Sequence, residues 1–126
     1  MTTTMTPRRE QAAQPEDLAR LFVERANAAD ADGLAELYEL DAVLGFPPGL
    51  VTVGRDAIRA VCEQLVAQRR VFELEEPLPT LRHGDLALTA TRPADGTGGR
   101  AQVARRQLDG TWLRILDRPE APRPSR

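Results

Sequence analysis

Up to Arg70 the apolar residues recur at helical spacing; beyond it they alternate as in strands. Leu18, Leu21, Phe22 and Ala26 form the first stripe. It predicts a helix opening near Pro15, with Glu16 and Asp17 at its positive end, and closing near Ala29. Asp30 is placed to cap a second helix in which Leu34, Leu37 and Tyr38 fall at i, i+3 and i+4, and which Gly33 weakens slightly. Ala42 to Phe46 reads as a strand ending at the Pro47-Pro48-Gly49 turn, and Val51 and Val53 as a second short strand. The clearest stripe is Ile58, Val61, Cys62, Leu65 and Val66, a third helix starting near Arg55.

Beyond Arg70, Val71 to Leu81 predicts an irregular strand that Pro77 and Pro79 confine to an edge or a bulge. Arg82 to Asp85 is a turn containing His83, Leu86 to Arg92 a strand, and Pro93 to Gly99 a flexible loop. Arg100 to Leu108 and Thr111 to Asp117 are strands joined tightly at Asp109-Gly110. The predicted class is α+β: three helices covering one face of an antiparallel meander. It forms one domain over residues 15–118, with flexible tails at 1–14 and 119–126.

Composition narrows the chemistry. With 41% hydrophobic and 29% charged residues, the 126-residue chain matches an ordinary globular domain. Its net charge of −2 comes from scattered charges of both signs, so neither nucleic acid nor a membrane is an expected partner, and the cytoplasm is the expected location. Lysine is absent, the only serine is Ser125, and there is one cysteine, Cys62, and one histidine, His83. Schiff-base chemistry, a serine triad, a disulfide and a His- or Cys-based metal cluster are thereby excluded; no metal and no cofactor is expected. Carboxylate acid–base work is the chemistry left. Cys62 on its apolar stripe reads as a small buried hydrophobe, His83 as a solvated turn residue and Asp41 as a turn or capping carboxylate.

The segments NAADADGLAELYELDAVL, from Asn27, and RRQLDGTWLRILDRP, from Arg105, resemble the nuclear transport factor 2-like superfamily in its SnoaL-like and ketosteroid-isomerase-like branch. That resemblance implies a curved sheet and three helices forming a cone with an internal apolar pocket, and a homodimer through the outer sheet face. Carried over residue by residue, it places Phe22 where ketosteroid isomerases have a tyrosine, Phe46 at their general base, and Ala104 or Arg105 near their second acid, so that mechanism is lost. Against limonene-epoxide-hydrolase-like enzymes, Asp117 matches the aspartate of the last strand, while the Arg-x-Asp pair is missing near Thr91 to Pro93.

If Asp109-Gly110 is a two-residue turn, Gln107 faces Trp112, Arg106 faces Leu113, Arg105 faces Arg114 and Gln102 faces Asp117. One face then carries Gln102, Ala104, Arg106, Leu113, Ile115 and Asp117, which the resemblance turns into the cone. The other carries Trp112, Arg105, Arg114 and Leu116 as the dimer surface, where Glu73 or Glu75 of a second copy relieves the facing arginines. The expected site has Asp117 as its candidate base, held through one oxygen by Gln102. Arg106 and Ile115 lie beside it, and Phe22, Tyr38 and Phe46 form the walls. Three functions fit: an apolar small-molecule binder, a carboxylate-dependent isomerase, dehydratase, cyclase or epoxide hydrolase, and a dimeric interaction module.

Overall fold

A computed structural model describes residues 8–93 and 99–119; of the expected tails at 1–14 and 119–126, residues 1–7 and 120–126 lie outside the described residues, as does the loop interior at 94–98. The helices are α1 (Asp17–Asn27), α2 (Ala31–Ala35) and α3 (Arg55–Ala67), and the strands are β1 (Tyr38–Leu44), β2 (Thr52–Val53), β3 (Glu76–Pro77), β4 (Leu81–His83), β5 (Leu86–Arg92), β6 (Arg100–Arg106) and β7 (Trp112–Arg118). No helix among the described residues is long and apolar enough to cross a membrane.

α1 and α3 bury the stripes predicted for them: Leu18, Leu21, Ala26, Ile58 and Cys62 enter one core with Leu34, Leu37 and Tyr38. Asp30 caps α2 by accepting from Gly33 N at 3.0 Å. A Cβ on Gly33 would lie 2.1 Å from Asp30 Oδ2 and 2.8 Å from Arg9 Nε, so this glycine makes room for an ion pair. That pair corrects the N-terminal boundary. Arg9 meets Asp30 through two hydrogen bonds of 2.8 and 2.9 Å, and Ala12, 2% exposed, bridges to Trp112. Residues 8–14 are therefore docked on the domain rather than forming a free tail, because an arginine fork matches the capping carboxylate.

α2 is shorter than its apolar spacing implied. Leu37 lies in the turn that follows α2, Tyr38 is buried as the first residue of β1 rather than in a helical turn, and Asp41 sits exposed within that strand rather than in a turn. Val71 to Leu81 is likewise broken: only Glu76–Pro77 and Leu81–His83 pair, and Val71 to Glu75 is an unpaired strap.

The sheet runs β2-β1-β7-β6-β5-β3, with β4 also on β5. All pairings are antiparallel except β1 with β7, which is parallel, so the sheet is mixed. Its inner face is covered by the helices, which gives the curved cone.

The closing hairpin departs from the simple ladder twice. Gln107 N donates to Thr111 O at 2.7 Å, leaving Leu108, Asp109 and Gly110 as a three-residue loop with Gly110 at φ 87°. Arg106 therefore faces Trp112, and Arg105 faces Leu113. The ladder then skips Ile115: Ala104 pairs with Arg114 and Val103 with Leu116. The two one-residue shifts cancel, and Gln102 faces Asp117. Between them, Trp112 and Arg114 turn inward and are only 4% exposed each.

Candidate functional site

The inner sheet face, α1, α3 and the strap line a cavity of about 220 Å³. Phe22 and Val23 of α1, Val61, Cys62 and Leu65 of α3, Leu44 of β1 and Phe46 after it, and Phe72 of the strap provide its apolar walls. They come from the i, i+3, i+4 faces of two amphipathic helices, which are apolar beyond what their mutual packing needs. Phe22 and Phe72 meet edge to face with centroids 6.3 Å apart.

The floor is polar and buried. The bulge at Ile115 lets Arg114 and Asp117, three residues apart, point into the same space; their side chains are 5% and 4% exposed, with Nη1 and Oδ2 3.5 Å apart. Tyr38, paired with Arg114 across β1 and β7, donates its hydroxyl to Asp117 Oδ2 at 2.5 Å. The Arg114 guanidinium also lies 5.3 Å from the Phe22 ring centroid and 5.9 Å from that of Tyr38, cation–π range for a desolvated cation. Among the described residues, Arg114 Nε and Asp117 Oδ1 have no hydrogen-bond partner, although both are buried.

Electrostatics follow from this arrangement. Burial, and then the charge of Asp117, push the Tyr38 phenol well above its ordinary 10.0, so it stays a donor. Burial favours deprotonation of Arg114, but the Asp117 carboxylate and Tyr38 outweigh it and the net shift is upward. Cys62, above the floor, is raised to about 11 by burial and then by Asp117, so its thiol is inert at neutral pH.

The rim is held by a second polar cluster. Arg100 Nε bonds both oxygens of Glu75 at 2.8 and 2.9 Å, and Thr91 Oγ1 donates to Glu75 at 2.8 Å. At the other end of the strap, Asn27 Nδ2 donates to Phe72 O and Phe72 N to Asn27 Oδ1, at 2.9 and 2.8 Å. These bonds hold a segment without ladder partners across the cavity. Among the described residues no group of three or more His, Cys, Asp or Glu side chains is arranged to hold a metal ion.

Of the residues expected at the site, Asp117, Phe22, Tyr38, Phe46 and Gln102 line the cavity, whereas Arg106 and Ile115 do not. Arg106, opposite Trp112 at the hairpin end of β6, is exposed there and pairs with Asp85 at 2.6 Å, and Ile115 is the residue the bulge sets aside. Gln102 accepts from Thr89 Oγ1 at 3.1 Å, and Tyr38 takes the place it was expected to hold on Asp117. Glu75 pairs within its own chain, with Arg100, and Arg105 with Glu39. Arg114 was expected on the outer face. Its inward turn depends on the loop length and the bulge, which no Gly or Pro at Ile115 announces.

A family profile described as a SnoaL-like domain matches residues 19–113. The chain belongs to the SnoaL-like family. No curated protein matches it in sequence. Among solved structures, this SnoaL-like protein is similar to a protein of unknown function from Mycobacterium tuberculosis (23% identity, TM-score 0.65, covering 86% of this chain and 69% of that one). It is also similar to an NTF2-like protein with a cystatin-like fold from Novosphingobium aromaticivorans (20%, TM-score 0.66, 86% and 80%). A third is a ketosteroid isomerase-like protein from Erwinia carotovora atroseptica (23%, TM-score 0.62, 85% and 94%). At these identities the similarities establish the fold, an NTF2-like cone.

Proposed function

We propose that this SnoaL-like protein binds an apolar small molecule inside the cone. The observation that carries the reading is the cavity of about 220 Å³, with apolar walls and a few convergent polar groups at one end. Its test is equilibrium binding of an apolar probe, naphthalene, to the full chain and to Val61→Trp, whose indole fills the space beside Cys62. Binding to the wild type and its loss in a folded Val61→Trp is the expected result; no saturable binding to the wild type overturns the reading.

A second reading is favoured by one feature of the floor. Asp117 is held through Oδ2 by Tyr38, while Oδ1 is unpartnered among the described residues, the arrangement of a positioned proton acceptor. In that reading Asp117 removes a proton from the bound molecule, as an isomerase, dehydratase, cyclase or epoxide hydrolase of an apolar metabolite requires. Asp117→Asn then abolishes turnover with probe binding intact.

For assembly, the proposal is a homodimer through the outer sheet face, in the cytoplasm, where the lone thiol stays reduced. Support comes from a row of apolar residues paired across five strands, Leu88, Val103, Leu116, Val43 and Val53. Leu116→Asp should give a monomer by sedimentation; an unchanged dimer would move the interface elsewhere.

A further inference from the structure

The cavity walls select only for apolarity; the floor specifies more. Arg114 Nε is a hydrogen-bond donor and Asp117 Oδ1 an acceptor. Each is a buried atom of a residue that lines the cavity, on a side chain at least nine-tenths buried, and has no hydrogen-bond partner among the described residues. An unsatisfied buried polar atom is costly, and two of opposite character on neighbouring side chains call for one group that serves both.

Charge narrows that group. The guanidinium and the carboxylate neutralise each other, and the Tyr38 phenol is already committed to Asp117 Oδ2. A carboxylate on the ligand would meet Asp117, and an ammonium would meet Arg114. Either would bring an uncompensated charge into a desolvated site. A ketone or ether satisfies the arginine and leaves the aspartate oxygen bare.

We infer that the cone selects an apolar molecule bearing a neutral hydroxyl, whose oxygen accepts from Arg114 Nε while its hydrogen goes to Asp117 Oδ1. This rests on the cavity being a ligand site, as proposed above, and adds the chemical class of the ligand. The same two contacts fix the hydroxyl end of the molecule on the floor and leave its hydrocarbon body against Phe22, Val61 and Phe72.

The test is a matched series of bicyclic probes at neutral pH, titrated calorimetrically into the full chain: 2-naphthol, 2-methoxynaphthalene, naphthalene and 2-naphthoate. The expected order places 2-naphthol first, by about tenfold or more over the methyl ether and the hydrocarbon, as a hydrogen bond to a charged group allows. The naphthoate comes last. In Asp117→Asn the advantage of 2-naphthol over its methyl ether should shrink to about threefold or less. Equal affinity for naphthol, ether and hydrocarbon overturns the hydroxyl assignment and leaves the apolar-binding reading standing. Tightest binding of the naphthoate overturns it in favour of an anion site. No binding of any probe to the wild type removes both readings. If Asp117→Asn does not fold, the wild-type series still decides.

Discussion

The two faces of the sheet are built from neighbouring residues of the same strands and have opposite characters. On the inside, Thr89, Gln102, Asp117 and Leu44 form one row, and Ala104, Arg114 and Tyr38 the next. Gln102, Arg114 and Asp117 are polar and 7%, 4% and 6% exposed. On the outside, Leu88, Leu116 and Val53 are apolar and 42%, 49% and 60% exposed. A sheet covered on one side ordinarily does the reverse, burying apolar residues and exposing polar ones. Buried polar groups and exposed apolar patches are the informative departures from that rule, because each carries a cost that folding alone does not recover. The difference supports the proposal that each face binds something different, the inner one a small molecule with a polar end and the outer one a second copy of the chain.

The comparison can be broken from the inside first. Arg114→Met strands the Asp117 charge in the core and should cost about 3–5 kcal/mol by urea unfolding. The double variant Arg114→Met, Asp117→Leu should recover most of that loss, since a packed apolar pair replaces a buried ionic one at little or no cost. Recovery of stability together with loss of the hydroxyl preference would show that the pair is there for the ligand. Recovery of neither would make it a structural element. Tyr38→Phe comes next, costing about 1.5–3 kcal/mol for the lost donor to a buried carboxylate.

Alkaline pH sharpens the same contrast. The folded protein holds the Cys62 thiol at about 11, against an ordinary 9.0. Below pH 9 both folded and unfolded chains keep that proton, and the contribution is complete. Above pH 9 the unfolded chain releases it first, so stability falls until the folded thiol ionises near 11. The Tyr38 phenol extends the decline to higher pH. Urea midpoints measured from pH 8 to 11 should fall, and fall less steeply for Cys62→Ala.

Smaller effects belong to the rim and the outside. Glu75→Gln, at a partly exposed ion pair, should change stability by about 1 kcal/mol or less while speeding ligand release, read by stopped flow. Leu116→Asp should leave the stability of the isolated subunit within about 0.5 kcal/mol, since its side chain lies on the surface. A large loss there would mean that the outer row is core after all.

Much of this architecture was readable in the chain. The stripe from Ile58 to Val66 falls within the observed α3, Asp30 caps α2, and Asp109-Gly110 marks the last hairpin. These signals are local, and local chemistry produces them. Three things were not local. The pairing of β1 with β7 joins segments far apart in sequence, and it converts Tyr38 from a helical position into the first residue of a strand. The extra loop residue and the bulge at Ile115 each shift the ladder by one, so Asp117 keeps the face that simple alternation gives it, while Trp112 and Arg114 lie on the face opposite to the one it gives them. Arg9 and Asn27 act through partners, Asp30 and Phe72, that no periodicity indicates.

The most direct test of the inner face as the ligand face is a 15N-resolved NMR titration of the full chain with 2-naphthol. The account predicts saturable shifts at the amides of Phe22, Tyr38, Cys62, Gln102 and Asp117, with Leu88, Val103 and Leu116 unmoved. Shifts confined to the outer row, or none at all, would contradict it.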